Sequence, residues 1–370
     1  MIKTRWLVGL AAVATGCAAL LPTPAVRHAP PSAAATGAEP AIHGLRDVRG
    51  AIELHSRHSH DGTTPVSTIA RLARAADLDF IIITDHNTLA AKPEERLTGR
   101  PLVLVGSELS TSAGHLLALF IDQEVPHDQP VERIVEAVHA QGGLAFAAHP
   151  LWPKKPWTRW DLPIDGLEIF DFSTMLNEDA TPWLLLKALV LPNPWFWRTT
   201  LQRPSAVLAH WDRQLATRPL VGISGHDTHA HAGLRPFLVD SFQSGFHLVS
   251  THALATELTP RALADAIRRG RCYVGFDGVA DPRPFLFAVQ HRRGVGLMGD
   301  HIPWQPDLTA IVRVPRRGVI TLYRDGKMVG RSHSVGARWV LEHPGVYRVE
   351  AFLGKRPWIF SNPIYVEATP

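Results

Sequence analysis

From residue 51 onward the chain alternates short apolar runs with segments whose apolar residues recur every three or four positions. The runs at 51–55, 80–84, 101–106, 116–121, 144–148, 167–170 and 221–224 have strand length and predict buried strands. Between them, Ile69, Leu72, Ala73 and Ala76 mark one face of a helix over 65–76. Ile134, Val135 and Val138 mark a second helix over 131–139, closed by Gly142-Gly143. Thr259-Pro260 supplies the N-cap and first position of a third, which Gly270 closes. Apolar strands separated by helices predict a buried parallel sheet, and both an open doubly wound sheet and a closed barrel fit that order. Beyond Pro282 the texture becomes short strands at 285–290, 308–314, 319–324, 327–331, 337–341 and 346–352, with Asp325-Gly326 and Pro344-Gly345 at turns. That pattern predicts an all-β sandwich over 282–370, after a barrel-sized unit over 45–281.

Composition changes this picture little. An apolar content of 45% and a charged content of 19% describe a chain able to bury a large core. The net charge of +4 is diffuse and has no Lys/Arg block, so specific nucleic-acid binding is not expected. Two cysteines, Cys17 and Cys272, exclude a disulfide framework or a cysteine zinc site. Cys272 reads as a buried small hydrophobe. The unusual count is 20 histidines.

Lys3 and Arg5 precede an uncharged run over 6–21, the charged and apolar regions of an export signal. Ala14-Thr15-Gly16-Cys17 resembles a bacterial lipobox with an atypical first residue, which implies a lipidated Cys17 on a periplasmic or membrane-anchored lipoprotein. Ordinary cleavage with secretion and an uncleaved anchor are the alternatives. Residues 1–17 are thus a signal and 18–44 an Ala/Pro-rich linker. The interval 151–220 carries seven of the eleven tryptophans and an apolar run at 183–191 broken only by Lys187. It reads as an inserted helix packed on the barrel, or as a lid or membrane-facing surface.

The chemistry gathers at the ends of strands. Residues 52–62, Ile-Glu-Leu-His-Ser-Arg-His-Ser-His-Asp-Gly, hold three histidines and two acids. On a strand, the period of two puts Ile52 and Leu54 on one face and Glu53 and His55 on the other. Carboxylate beside imidazole suits a borderline divalent cation; a solvated edge strand with a His-rich turn is the plainer alternative. The next strands run into Asp85-His86, Glu108, His149, and Gly225-His226-Asp227-Thr228-His229. Carboxyl ends of barrel strands converge on one mouth, so these groups are expected to meet.

In order, Ile-Glu-Leu-His with Ser-His-Asp-Gly, Ile-Thr-Asp-His, Gly-Ser-Glu, Gly-His-Leu-Leu, Ala-His-Pro and His-Asp-Thr-His resemble the motifs of the PHP (polymerase and histidinol phosphatase) superfamily over about 49–270. The resemblance implies a distorted (β/α)7 TIM-like barrel holding two or three divalent metal ions (Mn, Zn or Fe). Carried over by position, it marks His55, Asp61, His86, Glu108, His115, His149, Asp227 and His229 as ligands, with His60 as an alternative to Asp61. Residues 357–359 and 361–365 look like the β-sandwich tail of some bacterial members. The family begins His-x-His, whereas this chain has Glu53 in the first position. A carboxylate can ligate the same metals, so Glu53 joins the set as a swap; a lost metal is the other reading.

The implied activity is that of a metal-dependent phosphoesterase acting on a small phosphoester, with a metal-bridging hydroxide as nucleophile. Asp227 and His229 are the catalytic candidates, holding a metal and relaying a proton. Arg57, His58 and His226 are candidate phosphate contacts. A metal-dependent hydrolase of a non-phosphate bond and a non-catalytic metal- or ligand-binding protein remain alternatives.

Overall fold

A computed structural model describes residues 44–96, 99–178, 196, 199–229, 241–292 and 294–368. The export signal, nearly all of the linker and the apolar run 183–191, with Trp183, Trp195 and Trp197, lie outside the described residues. Among the described residues no helix is long and apolar enough to cross a membrane.

The seven apolar runs become the buried strands β1 (Arg46–Leu54), β2 (Phe80–Ile83), β3 (Leu102–Val105), β5 (Gly114–Leu119), β6 (Leu144–Ala147), β7 (Gly166–Asp171) and β8 (Val221–Gly225), while β4 (Ser107–Thr111), β9 (Ser250–Ala255) and β10 (Cys272–Gly275) are strands that the pattern did not mark. The chain continues through β11 (Leu286–His291), β12 (Gly294–Leu297), β13 (His301–Pro303), β14 (Thr309–Arg324), β15 (Lys327–Val340), β16 (Gly345–Leu353), β17 (Arg356–Ser361) and β18 (Ile364–Glu367). Helices form where the periodicity placed them. Val66–Ala75 buries Val66, Ile69, Ala70 and Ala73, and Val131–Ala140 buries Val131, Ile134, Val135 and Val138. Pro260–Arg268 is capped by Thr259, whose hydroxyl accepts from the Ala262 N–H at 3.3 Å.

The class is mixed α/β, and the pairing is less parallel than expected. β1, β2 and β3 are parallel to one another, as are β6, β7 and β8. β4 and β5 instead form an antiparallel hairpin, because Thr111 pairs with Gly114 across a turn too short for a crossover. β9 runs antiparallel to β1 and β10. A five-stranded sheet runs β4-β5-β6-β7-β8, and a thirteen-stranded one has β1, β2 and β3 at one end. Single parallel bridges, Leu54 to Thr228 and His86 to Glu108, link the two among the described residues. Ile52, Phe80, Ile82, Leu117, Phe146 and Ile223, drawn from both sheets, fill one apolar cluster. Ala51, Ile81, Ile83, Leu116 and Ala147 join a second cluster with the helix faces.

One sequence expectation is overturned here. Ile52 and Leu54 do not share a face: Ile52 lies in the first of these clusters and Leu54 in the second. The register against β2 slips between Ile52 and Leu54, and Glu53 between them takes φ 67°. A residue added to one strand inverts the alternation beyond it.

The C-terminal strands also differ from the expected pattern. The pairs 308–314 with 319–324 and 327–331 with 337–341 are each one long strand, β14 and β15, with an irregularity between Arg313 and Gly318. Their turn is at Asp325 and Gly326, with φ 50° and 74°, the left-handed pair that a two-residue hairpin requires. These strands are hydrogen-bonded into the thirteen-stranded sheet through β17 and β10 and share an apolar cluster of their own.

Two buried polar contacts fasten this region to the rest. Arg348 grips Asp212 in the helix Ser205–Leu215 through Nε (2.6 Å) and Nη2 (2.7 Å), and its Nη1 reaches Glu350 at 2.6 Å. Asn362 donates to the carbonyls of Gly222 (2.8 Å) and Cys272 (2.9 Å) and accepts from the Gly222 N–H (2.8 Å), holding β8 against β10.

Arg348→Ala should destabilise the chain by about 3 kcal/mol or more in urea unfolding, because it strands Asp212 and weakens the support of Glu350. A second prediction concerns His252, which is fully buried between Asp47 (2.8 Å) and Asp277 (3.4 Å). Burial opposes its charge, but the two carboxylates more than reverse that and push it up to about 9. Its stabilising charge is complete below about pH 6.5 and is lost as the pH rises through the raised value. The stability gap between the parent and His252→Gln should therefore narrow from about pH 6 to about pH 9.5.

Candidate metal centre

Glu108 is fully buried at the start of β4 and faces four imidazoles. His55 Nε2 lies 3.1 Å from Oε2, His149 Nε2 3.1 Å from Oε1 and His86 Nδ1 3.6 Å from Oε2, while His115 Nδ1 also contacts Oε1. Each partner comes from a different strand end. His55 follows the β1 bulge, His86 follows β2, His115 is on β5 and His149 follows β6.

A second group adjoins it. Asp61 Oδ2 lies 3.0 Å from His229 Nε2 and 3.2 Å from His86 Nε2, while its Oδ1 accepts from Ser59 Oγ at 2.6 Å. Asp61 thus faces the cluster, whereas the His60 side chain is 74% exposed. Asp227 Oδ1 is 3.4 Å from His55 Nε2 and 3.6 Å from His229 Nδ1. The backbone sets these positions. The His226 N–H donates to the Ile52 carbonyl at 3.1 Å and the His55 N–H to the Thr228 carbonyl at 3.3 Å, which fastens the end of β8 beside that of β1. Glu53, His149 and Asp227 take φ of 67°, 25° and 46°, left-handed values that non-glycine residues rarely adopt.

The structure therefore brings together all nine sequence-marked residues, with Glu53 reached through His149 at 3.8 Å. It does not bring in the phosphate candidates. Arg57 and His58 turn to Glu94 at 3.6 and 2.9 Å. His226 is fully buried against Gly245 and the rings of Phe172 and Phe246, a place that an inward turn of the β8 end imposes. Asp85 follows β2 but supports the site indirectly. It accepts from the Ser56 N–H (2.6 Å) and Oγ (2.7 Å), which orders the loop after His55.

Sequence reasoning missed Glu168 and Asp171. Both are buried on β7 and group with Glu53. The available signal was two acids, Glu168 and Asp171, in an otherwise apolar strand, Gly-Leu-Glu-Ile-Phe-Asp, since strands buried on both faces rarely carry acids without partners.

Burial opposes ionisation of Glu108, yet hydrogen bonds from His115, His149 and His55 hold it well below the usual carboxylate range. Burial also opposes charge on His55 and His149; the first is pushed up to about 10 by Asp227 and Glu108, the second to about 10 chiefly by Glu108. Glu53 behaves in the opposite way. Burial, then Glu168, Asp227, Asp171 and Glu108, raise it well above the ordinary value. Burial with Asp171 pushes Glu168 up to about 8, and burial with Asp227 pushes Asp171 up to about 7.

A divalent cation fits this arrangement. Both oxygens of Glu53 and the Nδ1 atoms of His55 and His149 are buried without a hydrogen-bond partner. The donors are imidazoles and carboxylates, the set that binds Zn²⁺, Mn²⁺ or Fe²⁺. Overlapping groups of three or four residues form around His55, Glu108 and His86, each with ligand atoms within 4.8 Å of one another. A cavity of about 470 Å³ opens beside them, lined by His149, Trp152, Glu168, Phe170, Asp171 and Met175 among others.

No protein-family model matches the chain. An uncharacterized protein of Methanocaldococcus jannaschii is 32% identical over 117 residues, 30% of this chain and 68% of that protein, and the two belong to one family. A two-domain Bacteroides vulgatus protein containing a predicted PHP-like metal-dependent phosphoesterase is similar in structure at TM-score 0.45 and 15% identity, over 93% of this chain and 99% of that one. A candidate metal-dependent phosphoesterase of Bifidobacterium adolescentis is similar at TM-score 0.34 and 17% identity, over 52% and 93%.

Because four imidazoles share Glu108, Glu108→Gln should leave the fold intact but weaken Mn²⁺ or Zn²⁺ binding by about 100-fold or more, as read by competition with a chelator.

Proposed function

We propose that this chain, a member of the PHP superfamily, is a metal-dependent phosphoesterase acting on a small phosphomonoester or phosphodiester. The observation that carries the reading is the Glu108 cluster, in which groups from five strand ends meet in the order of the PHP motifs. We read the two sheets as the walls of a distorted barrel with this cluster at its mouth, and the last strands as the accessory module. His55, Asp61, His86, Glu108, His115, His149, Asp227 and His229 would hold two or three divalent ions, with Glu53 beside them.

Such ions, when bound, activate water at neutral pH and offset charge developing on phosphoryl oxygens. Glu108 keeps its charge while buried because the imidazoles around it donate to it. His229 Nδ1 sits 2.9 Å from the Asp227 carbonyl; donating there leaves Nε2 as the ligating nitrogen facing Asp61. Asp227, with 20% of its side chain exposed, is the group placed to take a proton from the reacting water and return it to solvent. Leu151, Trp152, Phe170 and Met175 line the adjoining cavity and would receive the organic part of the ester. The charged and apolar regions before Cys17 support export, with a lipid anchor on Cys17 as the mode.

Phosphate release from nucleotides, sugar phosphates and lipid phosphates should be detectable with Mn²⁺, Zn²⁺ or Fe²⁺ and abolished by EDTA. His149→Ala and Asp227→Ala should each lower turnover by about 100-fold or more. Full EDTA-sensitive activity in either variant would sink the reading.

A further inference from the structure

We propose that Glu53, Glu168 and Asp171 form a separate, all-carboxylate cation site that takes a hard divalent ion such as Mn²⁺ or Mg²⁺ beside the imidazole-bearing centre. The three side chains come from the β1 bulge, the middle of β7 and the end of β7, and one oxygen of each lies within 4.8 Å of the others. They are 0%, 1% and 8% exposed, so bulk water does not screen them from one another.

Their hydrogen bonding is divided. Glu168 commits Oε2 to the His149 N–H at 2.6 Å, and Asp171 commits Oδ1 to the Thr174 N–H. The remaining oxygens, Glu168 Oε1 and Asp171 Oδ2, have no hydrogen-bond partner, and neither do both oxygens of Glu53. Two of these unpartnered atoms converge over Gly225, where an added Cβ would stand 2.0 Å from Glu168 Oε1 and 2.2 Å from Glu53 Oε2. A residue with no side chain is therefore what lets the carboxylates approach. The leading electrostatic influences on Glu53 are other carboxylates, and the cation that acts on Glu168 and Asp171 is His149, itself engaged with Glu108.

Buried carboxylates this close need a counter-charge or shared protons. An all-oxygen donor set selects hard ions, whereas the imidazoles around Glu108 suit softer ones, so the two corners differ in metal preference. The cavity of about 470 Å³ is lined by both Glu168 and Asp171 and supplies an entry path.

The proposal goes beyond the hydrolase reading and does not need it. The test is a Mn²⁺ titration of the metal-stripped full chain, with the unbound ion counted by electron paramagnetic resonance. Glu168→Gln with Asp171→Asn keeps shape and acceptor oxygens while removing two charges. That variant should bind one Mn²⁺ fewer than the parent, and His86→Ala with His229→Ala should retain that ion. Without metal the amide variant should melt higher than the parent, because like charges are relieved, and Mn²⁺ should raise its melting temperature less. An amide variant that binds as many ions as the parent, with the same rise in melting temperature, overturns the site and leaves shared protons as the explanation. A histidine variant that loses no ion instead counts against the hydrolase reading, while the carboxylate site stands.

Discussion

The site depends on one carboxylate kept charged in the interior of the protein. Glu108 is fully buried, and an isolated anion in that position would be strongly unfavourable. Four imidazoles make its position tolerable, and each must arrive from a different strand end. The requirement reaches outward through the backbone. The β1 and β8 ends are laced together by His226 to Ile52 and His55 to Thr228, and the β2 end is bridged to β4 at His86 and Glu108. These are among the links between the two sheets, so contacts that join the sheets also assemble the site.

Two glutamates a few ångströms apart illustrate how surroundings decide chemistry. Glu108 sees imidazoles and is held well below the ordinary carboxylate range, whereas Glu53 sees mainly other carboxylates and is raised well above it. Backbone strain concentrates at the same place, with left-handed φ at Glu53, His149 and Asp227. Such conformations persist when surrounding structure over-determines them, and here the β1 bulge, the loop after β6 and the end of β8 are each fixed by hydrogen bonds at their edges. The C-terminal strands contribute from a distance. Asn362 saturates the backbone of Gly222 and Cys272, steadying the strand that ends in Gly225 and leads to Asp227.

Much of this was legible along the chain. Helix faces such as Ile134, Val135 and Val138 follow from a 3.6-residue period, and strand runs such as Phe80–Ile83 from unbroken apolar sequence. Acids and histidines at successive strand ends marked a site because strand ends in such folds converge. Less legible was anything that depends on register. Period-two reasoning put Ile52 beside Leu54, and a single bulge at Glu53 undid it. Arg57 and His58 looked poised for an anion, but Glu94, far along the chain, takes both.

What the sequence by itself determined is where the helix faces and seven of the apolar strand runs lie and which strand ends carry most of the ligating groups, because these follow from local periodicity and residue chemistry. Tertiary structure alone decided that β4 and β5 form a hairpin, that His226 turns into the core, and that Glu168 and Asp171 join Glu53 over Gly225. Those outcomes arise from contacts between residues distant in sequence, where bulges, turn lengths and a missing side chain set distances that no local pattern encodes.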